Sequence, residues 1–262
     1  MTDVWRFIDT GSRSAACNMA LDEAITTAVR KDNVPPTLRL YGWNILSVSL
    51  GCFQKISDID IDYCIEKQIP IVRRLTGGRA ILHSHDITYS FSVKTTWGLF
   101  SKGLLDSYKK ISTALSLALS KIGLSPELKL LRKTRYSKSP LCFQSTSYGE
   151  ITINNKKVIG SAQKRWPDGL LQQGSIPYIL DKDEMIKIFK LESTHGIREA
   201  ITGLKEVLPN LNPDELKNAI RISFEEAFDI RFTPSSPSQE EVSFAQELEA
   251  KKYLSPHWNF RR

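Results

Sequence analysis

The chain has 262 residues, of which 41% are hydrophobic and 25% charged, and this composition is typical of a soluble globular protein with a sizeable core. No run of 18 apolar residues occurs and the first residues lack the apolar stretch of a signal peptide, so we expect a cytoplasmic protein without a membrane partner. The net charge of +7 is compatible with nucleic acid, an anionic surface or acidic proteins. Because no aromatic RNA-binding signature or helix-turn-helix spacing accompanies it, we expect acidic protein partners and no nucleic acid.

The first half of the chain predicts two helices and five strands. Apolar residues at helical spacing predict a helix over Asn18–Val29, and aspartates before Ile61 predict a second, short helix. Between and after them, β-rich segments predict strands at Thr37–Tyr41, Ile45–Leu50, Ile69–Val72, Ala80–His83 and Ile87–Val93.

The second half predicts a helix, a three-stranded meander and further helices. An apolar stripe predicts the helix Ser107–Ile122, and a basic, polar loop follows at 129–139. The meander is predicted at Tyr148–Ile153, Lys156–Ala162 and Leu170–Leu180, with Asn154-Asn155 as its first turn. Helices follow from about 182, with Asn212 and Ser238 as N-caps and a linker at Thr233–Ser238.

This order predicts an α+β fold in which mixed, mainly antiparallel sheets pack with helices. We expect one catalytic domain over 1–235, with its core at about 33–220, and a helical tail over 236–262. No glycine-rich nucleotide motif occurs, so the sequence predicts no nucleotide or other cofactor.

The stretch 70–93 is the most informative part of the sequence. A buried strand leads into Arg73 and Arg74, and then into Thr76-Gly77-Gly78, where two residues in a row lack Cβ and the backbone can approach a ligand closely. This pattern predicts a polar ligand group held against an apolar slot. An ordinary hairpin with two surface arginines is the alternative, and Arg74 would equally suit a structural ion pair.

Cys142 is the best nucleophile candidate among the residue types present. His83 and His85 stand without the rest of a metal ligand set, and no serine stands in a nucleophile elbow. Cys142 follows the basic loop, where cations would lower the pKa of its thiol, and the meander would bring Lys157 beside it. The residues alone leave a buried packing cysteine as an equal alternative, and Cys52 and Cys64 are most simply core thiols.

The sequence resembles the biotinyl/lipoyl protein ligase catalytic family over most of its length. The resemblance rests on the segments Asn18–Ala24, Leu38–Trp43, Val48–Gln54, Arg73–Ala80 with His83, Lys157–Gln163 and Gln173–Ile176, and on Lys252-Tyr253 and Trp258-Asn259 near the C-terminus. It implies the fold of that family, with a helical C-terminal extension.

Two departures from the ATP-dependent ligases of that family indicate its cysteine-dependent octanoyltransferase branch. The ligases carry three glycines where this chain has Gly77-Gly78-Arg79, and an Asn-Asp pair near the position of Cys142. The branch moves an octanoyl group from acyl carrier protein to a lysine of a lipoyl-type domain such as glycine cleavage H protein. The resemblance implies Cys142 as the acyl-thioester nucleophile and Lys157 as the group that lowers its pKa.

Substrate binding is predicted for the residues around the two glycine-containing segments: Arg73, Arg74, Thr76, Gly77, Gly78, His83 and Gly160. No metal and no cofactor are required, since a thioester exchanges with a thiol at little free-energy cost and converts to an amide downhill. We expect a monomer. An ATP-dependent lipoate ligase and a non-catalytic binder of lipoyl domains remain as alternatives, and amide exchange between proteins ranks low because the cysteine of that branch lies elsewhere.

Overall fold

The computed structural model describes residues 3–96, 98–130, 148–191 and 195–261, in which strands and helices alternate. Its first half contains β1 (Asp3–Arg13), α1 (Ala15–Arg30), β2 (Thr37–Trp43), β3 (Ser47–Leu50), α2 (Ile61–Glu66), β4 (Ile71–Arg73), β5 (Ile81–His83), β6 (His85–Lys94) and α3 (Leu104–Lys121). Short 3₁₀ turns at Ile56–Asp58 and Gly98–Phe100 connect some of these elements.

The second half continues the large sheet and ends in helices. Its elements are β7 (Glu127–Lys129), β8 (Glu150–Ile153), β9 (Lys156–Arg165), β10 (Gly169–Ile179), α4 (Lys182–Ile188), α5 (His195–Ala200), α6 (Leu204–Val207), α7 (Pro213–Phe228), β11 (Ile230–Pro234), α8 (Gln239–Leu248), a π-helical turn at Glu249–Tyr253 and α9 (Pro256–Asn259).

Eight of the described strands form one large sheet in the order β11-β1-β2-β6-β10-β9-β8-β7. Pairing is antiparallel from β2 to β7 and parallel where β1 meets β2 and β11. A second sheet, in the order β4-β3-β5, combines one parallel and one antiparallel pairing. The predicted α+β class with mixed, mainly antiparallel sheets is confirmed.

The large sheet carries different chemistry on its two faces, because successive side chains of a strand alternate between them. One face presents Tyr89 and Phe91 of β6 to an apolar core shared with α3 and α7, where Trp5, Phe100, Phe224 and Phe228 add aromatic contacts. The other face presents Ser90 and Ser92, which bond to α1. The second face is therefore polar and buried, so it can supply fixed polar groups to a binding site.

Most of the predicted elements are confirmed, with shifted ends. The helix expected at Asn18 begins at Ala15, because the Ser14 side chain accepts a hydrogen bond from the backbone of Cys17 and caps it. Asn154 and Asn155 form the expected hairpin turn, both with positive φ, at 50° and 62°. The caps at Asn212 and Ser238 are also as predicted.

Three strands of the large sheet were not expected. The sequence analysis has no counterpart for β1, which lies between β2 and β11, or for β7 at one edge, and β11 at the other edge overlaps the predicted linker from Thr233. Pro234 suggested a break, but an edge strand tolerates proline because one side of its backbone makes no ladder bonds.

Residues 236–261 are helical and pack against α1, where Lys252 forms an ion pair with Glu23 at 2.7 Å. They also reach the end of β4 through Asn259. Among the described residues, no helix is long and apolar enough to cross a membrane.

Candidate active site

A narrow slot lies between the polar face of the large sheet, α1 and the small sheet. It holds about 320 Å³ of space free of protein atoms, with open solvent included. The lining combines aromatic, apolar and small polar side chains: Met19, Tyr41, Trp43, Ser49, Arg74, Ile81, His83, Thr88, Ser161, Ala162, Gln173, Gly174 and Ser175. Such a lining suits a slim, mostly apolar ligand.

Arg74 lines the slot and holds the glycine-containing turn in place. Its Nη1 donates to the carbonyl oxygen of Ser49 at 2.9 Å, and its Nη2 donates to the carbonyl oxygens of Gly77 and Arg79 at 2.8 and 2.7 Å. The side chain is buried, so it braces the backbone around the slot and presents its positive charge there.

Arg73 lies outside the slot, because adjacent residues of an extended chain point to opposite sides. Its Nη1 donates to the carbonyl oxygens of Gly51 and Gln54, at 2.9 and 2.7 Å, and its Nε donates to the carbonyl oxygen of Asn259 at 3.0 Å. The structure therefore places the two predicted arginines in different settings, one at the slot and one in the loops behind it.

The turn at Thr76-Gly77-Gly78 is fixed to its surroundings on both sides. The Thr76 hydroxyl donates to Oε1 of Gln173 at 2.8 Å, and the backbone N–H of Cys52 donates to the Thr76 carbonyl oxygen at 2.8 Å. Gly78 has φ +82°, and a Cβ on Gly51 would lie 1.9 Å from the Gly78 carbonyl oxygen. Glycine is thus required at both positions, by conformation at one and by close approach at the other.

His83 forms the middle of a buried hydrogen-bonded chain at the slot. Its Nδ1 lies 2.9 Å from Oδ2 of Asp86, its Nε2 lies 2.8 Å from the hydroxyl of Ser49, and its ring stacks on Trp43 with centroids 3.9 Å apart. His85, two residues on, is exposed and begins β6, whereas His83 ends β5, so the two histidines belong to different strands.

Asp86 forms one end of this hydrogen-bonded chain. Burial alone would raise the pKa of its carboxyl group, but the charge and hydrogen bond of His83 and the hydroxyls of Ser175 and Thr88 outweigh burial and hold that pKa below its usual value. The ionised carboxylate only accepts, so Nδ1 of His83 carries a proton and the imidazole orientation is fixed.

Asp22 is a site residue that sequence reasoning missed. Its carboxylate is fully buried and accepts from Nη1 of Arg39 at 2.6 Å, and from Ser90, Tyr41 and Gln173 at 2.6, 2.7 and 2.7 Å. Gln173 in turn accepts from Thr76, so Asp22 is connected to the glycine-containing turn. The available signal was an aspartate on the apolar face of the first helix.

Lys157 and Gly160 lie on β9, next to the slot. Nζ of Lys157 is 2.7 Å from Oε1 of Glu150, and both side chains are buried. Gly160 pairs with Ser175 across to β10, and Ser161 and Ala162 line the slot directly. The structure thus brings Arg74 and His83 to one cavity. Thr76 and Gly160 are joined to the lining residues Gln173 and Ser175, and Lys157 lies three residues before Gly160 on β9.

The predicted nucleophile Cys142 lies outside the described residues. The thiols that are described fit the role poorly: burial raises the pKa of Cys64 to about 11 and raises that of Cys17 as well. Cys64 is a core thiol as predicted, while the Sγ of Cys52 accepts a hydrogen bond from Arg261 at 3.0 Å.

Comparison with known proteins identifies the family. Residues 14–225 match the model described as the lipoyl protein ligase A/B catalytic domain. The chain belongs to this family. The motif-based prediction of a biotinyl/lipoyl protein ligase catalytic domain is therefore confirmed.

Two relatives that are similar to this lipoyl protein ligase family member over their full length carry the same name. The protein named Octanoyltransferase LipM of Carboxydothermus hydrogenoformans is 36% identical over 268 residues, which cover 99% of each chain. The Octanoyltransferase LipM of Bacillus subtilis is 33% identical over 276 residues, again 99% of each chain.

Solved ligases share the fold. A crystal structure of lipoate-protein ligase A bound with ATP matches with a TM-score of 0.83 and 25% identity, and covers 99% of both chains. The bi-partite lipoate protein ligase of Thermoplasma acidophilum matches with a TM-score of 0.82 at 23% identity, over 98% of this chain and 96% of the other, and shows the fold alone.

Proposed function

We propose that this protein takes an octanoyl group from octanoyl-acyl carrier protein, holds it as a thioester on Cys142, and passes it to a lysine of a lipoyl-type domain such as glycine cleavage H protein. The broader activity is established: the chain is an octanoyltransferase of protein lipoylation, as its full-length relatives indicate. The donor, the acceptor, the residues and the monomeric, cytoplasmic state belong to the proposal.

The observation that carries the proposal is the position of Lys157 relative to the slot. Ser161, which lines the slot, is four residues from Lys157 along β9, or roughly 13 Å at about 3.3 Å per residue, and Lys157 is buried. In the proposed arrangement, an octanoyl chain in the slot has its carbonyl end directed toward this buried cation. A cation there favours a thiolate, which is the reactive form of cysteine.

The transfer proceeds in two steps in which atoms and protons balance. The Cys142 thiolate attacks the donor thioester, the acyl–sulfur bond of the donor breaks, and the carrier thiolate leaves and takes a proton from solvent. The neutral amine of the acceptor lysine then attacks the acyl-enzyme, the new C–N bond forms as the C–S bond breaks, and Cys142 leaves as the thiolate while the amine loses one proton to solvent.

Arg74 and the glycine-containing turn would hold the acyl group during both steps. Arg74 fixes the backbone of Gly77 and Arg79, and Gln173 fixes Thr76, so the turn needs no reorganisation when the ligand enters. Backbone amides of such a rigid turn can stabilise an oxyanion, at roughly 3 kcal/mol each when they point at it.

The test is acyl transfer by the purified protein without ATP. Octanoyl-carrier protein and apo-acceptor are incubated with the wild type, and the mass of the acceptor is measured by mass spectrometry. We expect this mass to increase by that of one octanoyl group. No transfer without ATP, together with transfer from octanoate when ATP is added, would assign the protein to the ATP-dependent ligases instead.

The role of Cys142 is tested by trapping the acyl-enzyme. The wild type and the Cys52→Ser control should gain one octanoyl group from the donor, whereas Cys142→Ala should gain none. Labelling of Cys142→Ala at the wild-type level would remove this cysteine from the mechanism. A wild type that binds the acceptor yet forms no acyl-enzyme and no product would be a binder only.

A further inference from the structure

A second cavity lies between α1, β9 and the C-terminal segment, and it shares none of its described lining residues with the slot. It holds about 700 Å³ of space free of protein atoms, with open solvent included. Four cations and two tryptophans in its lining determine its character: Arg30, Lys164, Lys252, Arg261, Trp166 and Trp258. Glu23 is the one carboxylate among the described residues that line it, so the cavity is basic.

Trp166 holds two of the cations at the cavity. Its ring centroid lies 4.4 Å from Cζ of Arg30 and 4.7 Å from Nζ of Lys164, and the face of an aromatic ring attracts a cation. Arg30 is also paired with Asp168, whose Oδ1 lies 2.9 Å from its Nε. Lys164 has no carboxylate within ion-pair distance in the part of the chain that the structure describes.

Trp258 holds the two cations of the C-terminal segment. Its ring centroid lies 4.1 Å from Nζ of Lys252 and 3.7 Å from Cζ of Arg261. Lys252 is paired with Glu23 at 2.7 Å. Arg261 donates from Nη2 to the Sγ of Cys52 at 3.0 Å, and no carboxylate of the described ranges forms an ion pair with it.

Lys164 and Arg261 therefore give the cavity an excess of positive charge. Burial is the main cause of a lowered pKa at Lys164, and the nearby charges of Lys252 and Arg30 lower that pKa further. The Lys164 ammonium group is thus partly removed from water and lies close to other cations. An anion in the cavity would stabilise it, because the anion supplies the opposite charge that the described lining lacks.

We propose that this cavity binds a phosphate-bearing molecule. A phosphoryl group has three acceptor oxygens and carries about 1.5 to 2 negative charges at pH 7, so it can contact several of these cations at once. The guanidinium groups of Arg30 and Arg261 offer planar sets of donors that match phosphate oxygens, and Lys164 adds a point charge. Inorganic phosphate, pyrophosphate and small phosphate monoesters share this chemistry.

The cavity is separate from the place where the transfer is proposed to occur. β9 carries Lys157 first, then the slot residue Ala162 and then Lys164. Seven residues separate the two lysines, or roughly 23 Å at about 3.3 Å per residue, and the slot lies between them along the strand. The site is therefore additional to the one that holds the acyl group, and the inference does not depend on acyl transfer.

A ligand in the cavity would join three parts of the chain that are distant in sequence. Arg30 ends α1, Lys164 lies near the end of β9, and Arg261 follows the last helix, α9. A molecule that contacts all three binds only the folded protein. It should therefore raise the melting temperature in proportion to the logarithm of its concentration above its dissociation constant.

The test is the binding of pyrophosphate to the purified protein, measured by isothermal titration calorimetry. We expect one pyrophosphate per chain, and a melting temperature that rises with pyrophosphate more than with sodium chloride at the same ionic strength. No binding, or an equal effect of sodium chloride, would overturn the proposal, because the added ions would then act only by screening exposed charges.

Substitutions of the cations separate this cavity from other basic surfaces. Lys164→Gln and Arg261→Gln should each weaken pyrophosphate binding by about tenfold or more, because each removes a charged donor. Lys251→Gln is the matched control: this lysine is next to Lys252, but its side chain is exposed and paired with Glu247, so binding should be unchanged. Equal affinities of all three variants would refute the assignment. Melting temperatures without ligand show that each variant is folded.

Tryptophan fluorescence locates the bound anion. Pyrophosphate should change the emission of the wild type, since it contacts cations that lie on two indole rings. Replacement of Trp166 and Trp258 by phenylalanine keeps an aromatic face under the cations and should abolish that change. A change that persists in the doubly substituted protein would place the anion elsewhere and overturn the proposal.

Further ligands identify the class of phosphate and confirm that the cavity is distinct from the slot. Tighter binding of glycerol 3-phosphate than of inorganic phosphate would indicate a phosphorylated small molecule, and equal binding would indicate phosphate itself; both outcomes support the site. Saturating octanoate should leave pyrophosphate bound, because the described linings of the slot and the cavity differ. Competitive displacement by octanoate would assign the anion to the slot and end the inference, whether or not the protein transfers acyl groups.

Discussion

Asn259 is joined to Arg73 by two hydrogen bonds, although 186 residues separate them in the sequence. The backbone N–H of Arg73 donates to Oδ1 of Asn259 at 2.9 Å, and Nε of Arg73 donates to the Asn259 carbonyl oxygen at 3.0 Å. Nε1 of Trp258 adds a third bond to the Arg73 carbonyl oxygen at 2.8 Å. The helical end of the chain therefore holds the strand that leads into the glycine-containing turn.

Asn259→Ala should weaken both the fold and the slot. It leaves the buried N–H of Arg73 without its acceptor, which costs about 1–3 kcal/mol of unfolding free energy. Urea unfolding measures this loss, and Leu254→Ala, at a largely exposed position, serves as the control. We also expect slower octanoyl transfer; a variant that is destabilised but fully active would show that this contact supports only the fold.

Asp22→Asn should be strongly destabilising. Arg39 is fully buried, and without the carboxylate its charge is left uncompensated, which typically costs about 3–5 kcal/mol. The new amide would also oppose the hydroxyl of Tyr41 and the Nε2 of Gln173 with a donor of its own. The measurement is the melting temperature of Asp22→Asn, compared with that of Asp62→Asn, which changes an exposed aspartate. Similar melting temperatures for the two variants would contradict the buried network.

Asp86 should make the stability of the protein depend on acid pH. Its folded-state pKa is lowered, so its contribution is present above the ordinary aspartate value of about 3.9 and is lost as the pH falls through the folded value. Unfolding free energies between about pH 5 and pH 2.5 should therefore decline more steeply in the wild type than in Asp86→Asn. Parallel curves for the two proteins would remove Asp86 as a source of this dependence.

Ala162→Leu should shorten the acyl chain that the slot accepts. Ala162 lines the slot, so the added side chain takes up space there, and a filled cavity resists a ligand of the original length. Transfer from C8 and C10 donors should fall by more than transfer from C4 or C6 donors, which act as the internal control. A uniform fall across all chain lengths would indicate that the acyl chain lies elsewhere.

Local sequence signals predicted the elements whose causes are local. The cap at Asn212, the capping box at Ser238 and the turn at Asn154-Asn155 depend on residues within four positions, and the structure contains each of them. β1 and β11 depend on parallel partners more than 30 and 200 residues away, so no nearby pattern marks them.

The sequence predicted several residues of the site, but not how their side chains contact one another. Motif residues indicated the arginines, the glycine-containing turn and His83, but the sequence did not tell which arginine faces the slot, since that depends on how β4 is placed against β3. The sequence offered no prediction for Asp22 because its partners come from β2, β6 and β10. Buried networks of this kind are built by tertiary contacts and leave little trace in any one segment.

The bonds from Asn259 and Trp258 to Arg73 also bear on how the protein is made. Synthesis proceeds from the N-terminus at about 5–20 residues per second, so Arg73 waits roughly ten seconds or more for residue 259 to be added. Until then Arg73 lacks three of its hydrogen bonds, two of its backbone and one of its side chain, and the support behind the slot is incomplete. A partly synthesised chain can therefore form the large sheet while it is still unable to hold an acyl group in its working geometry.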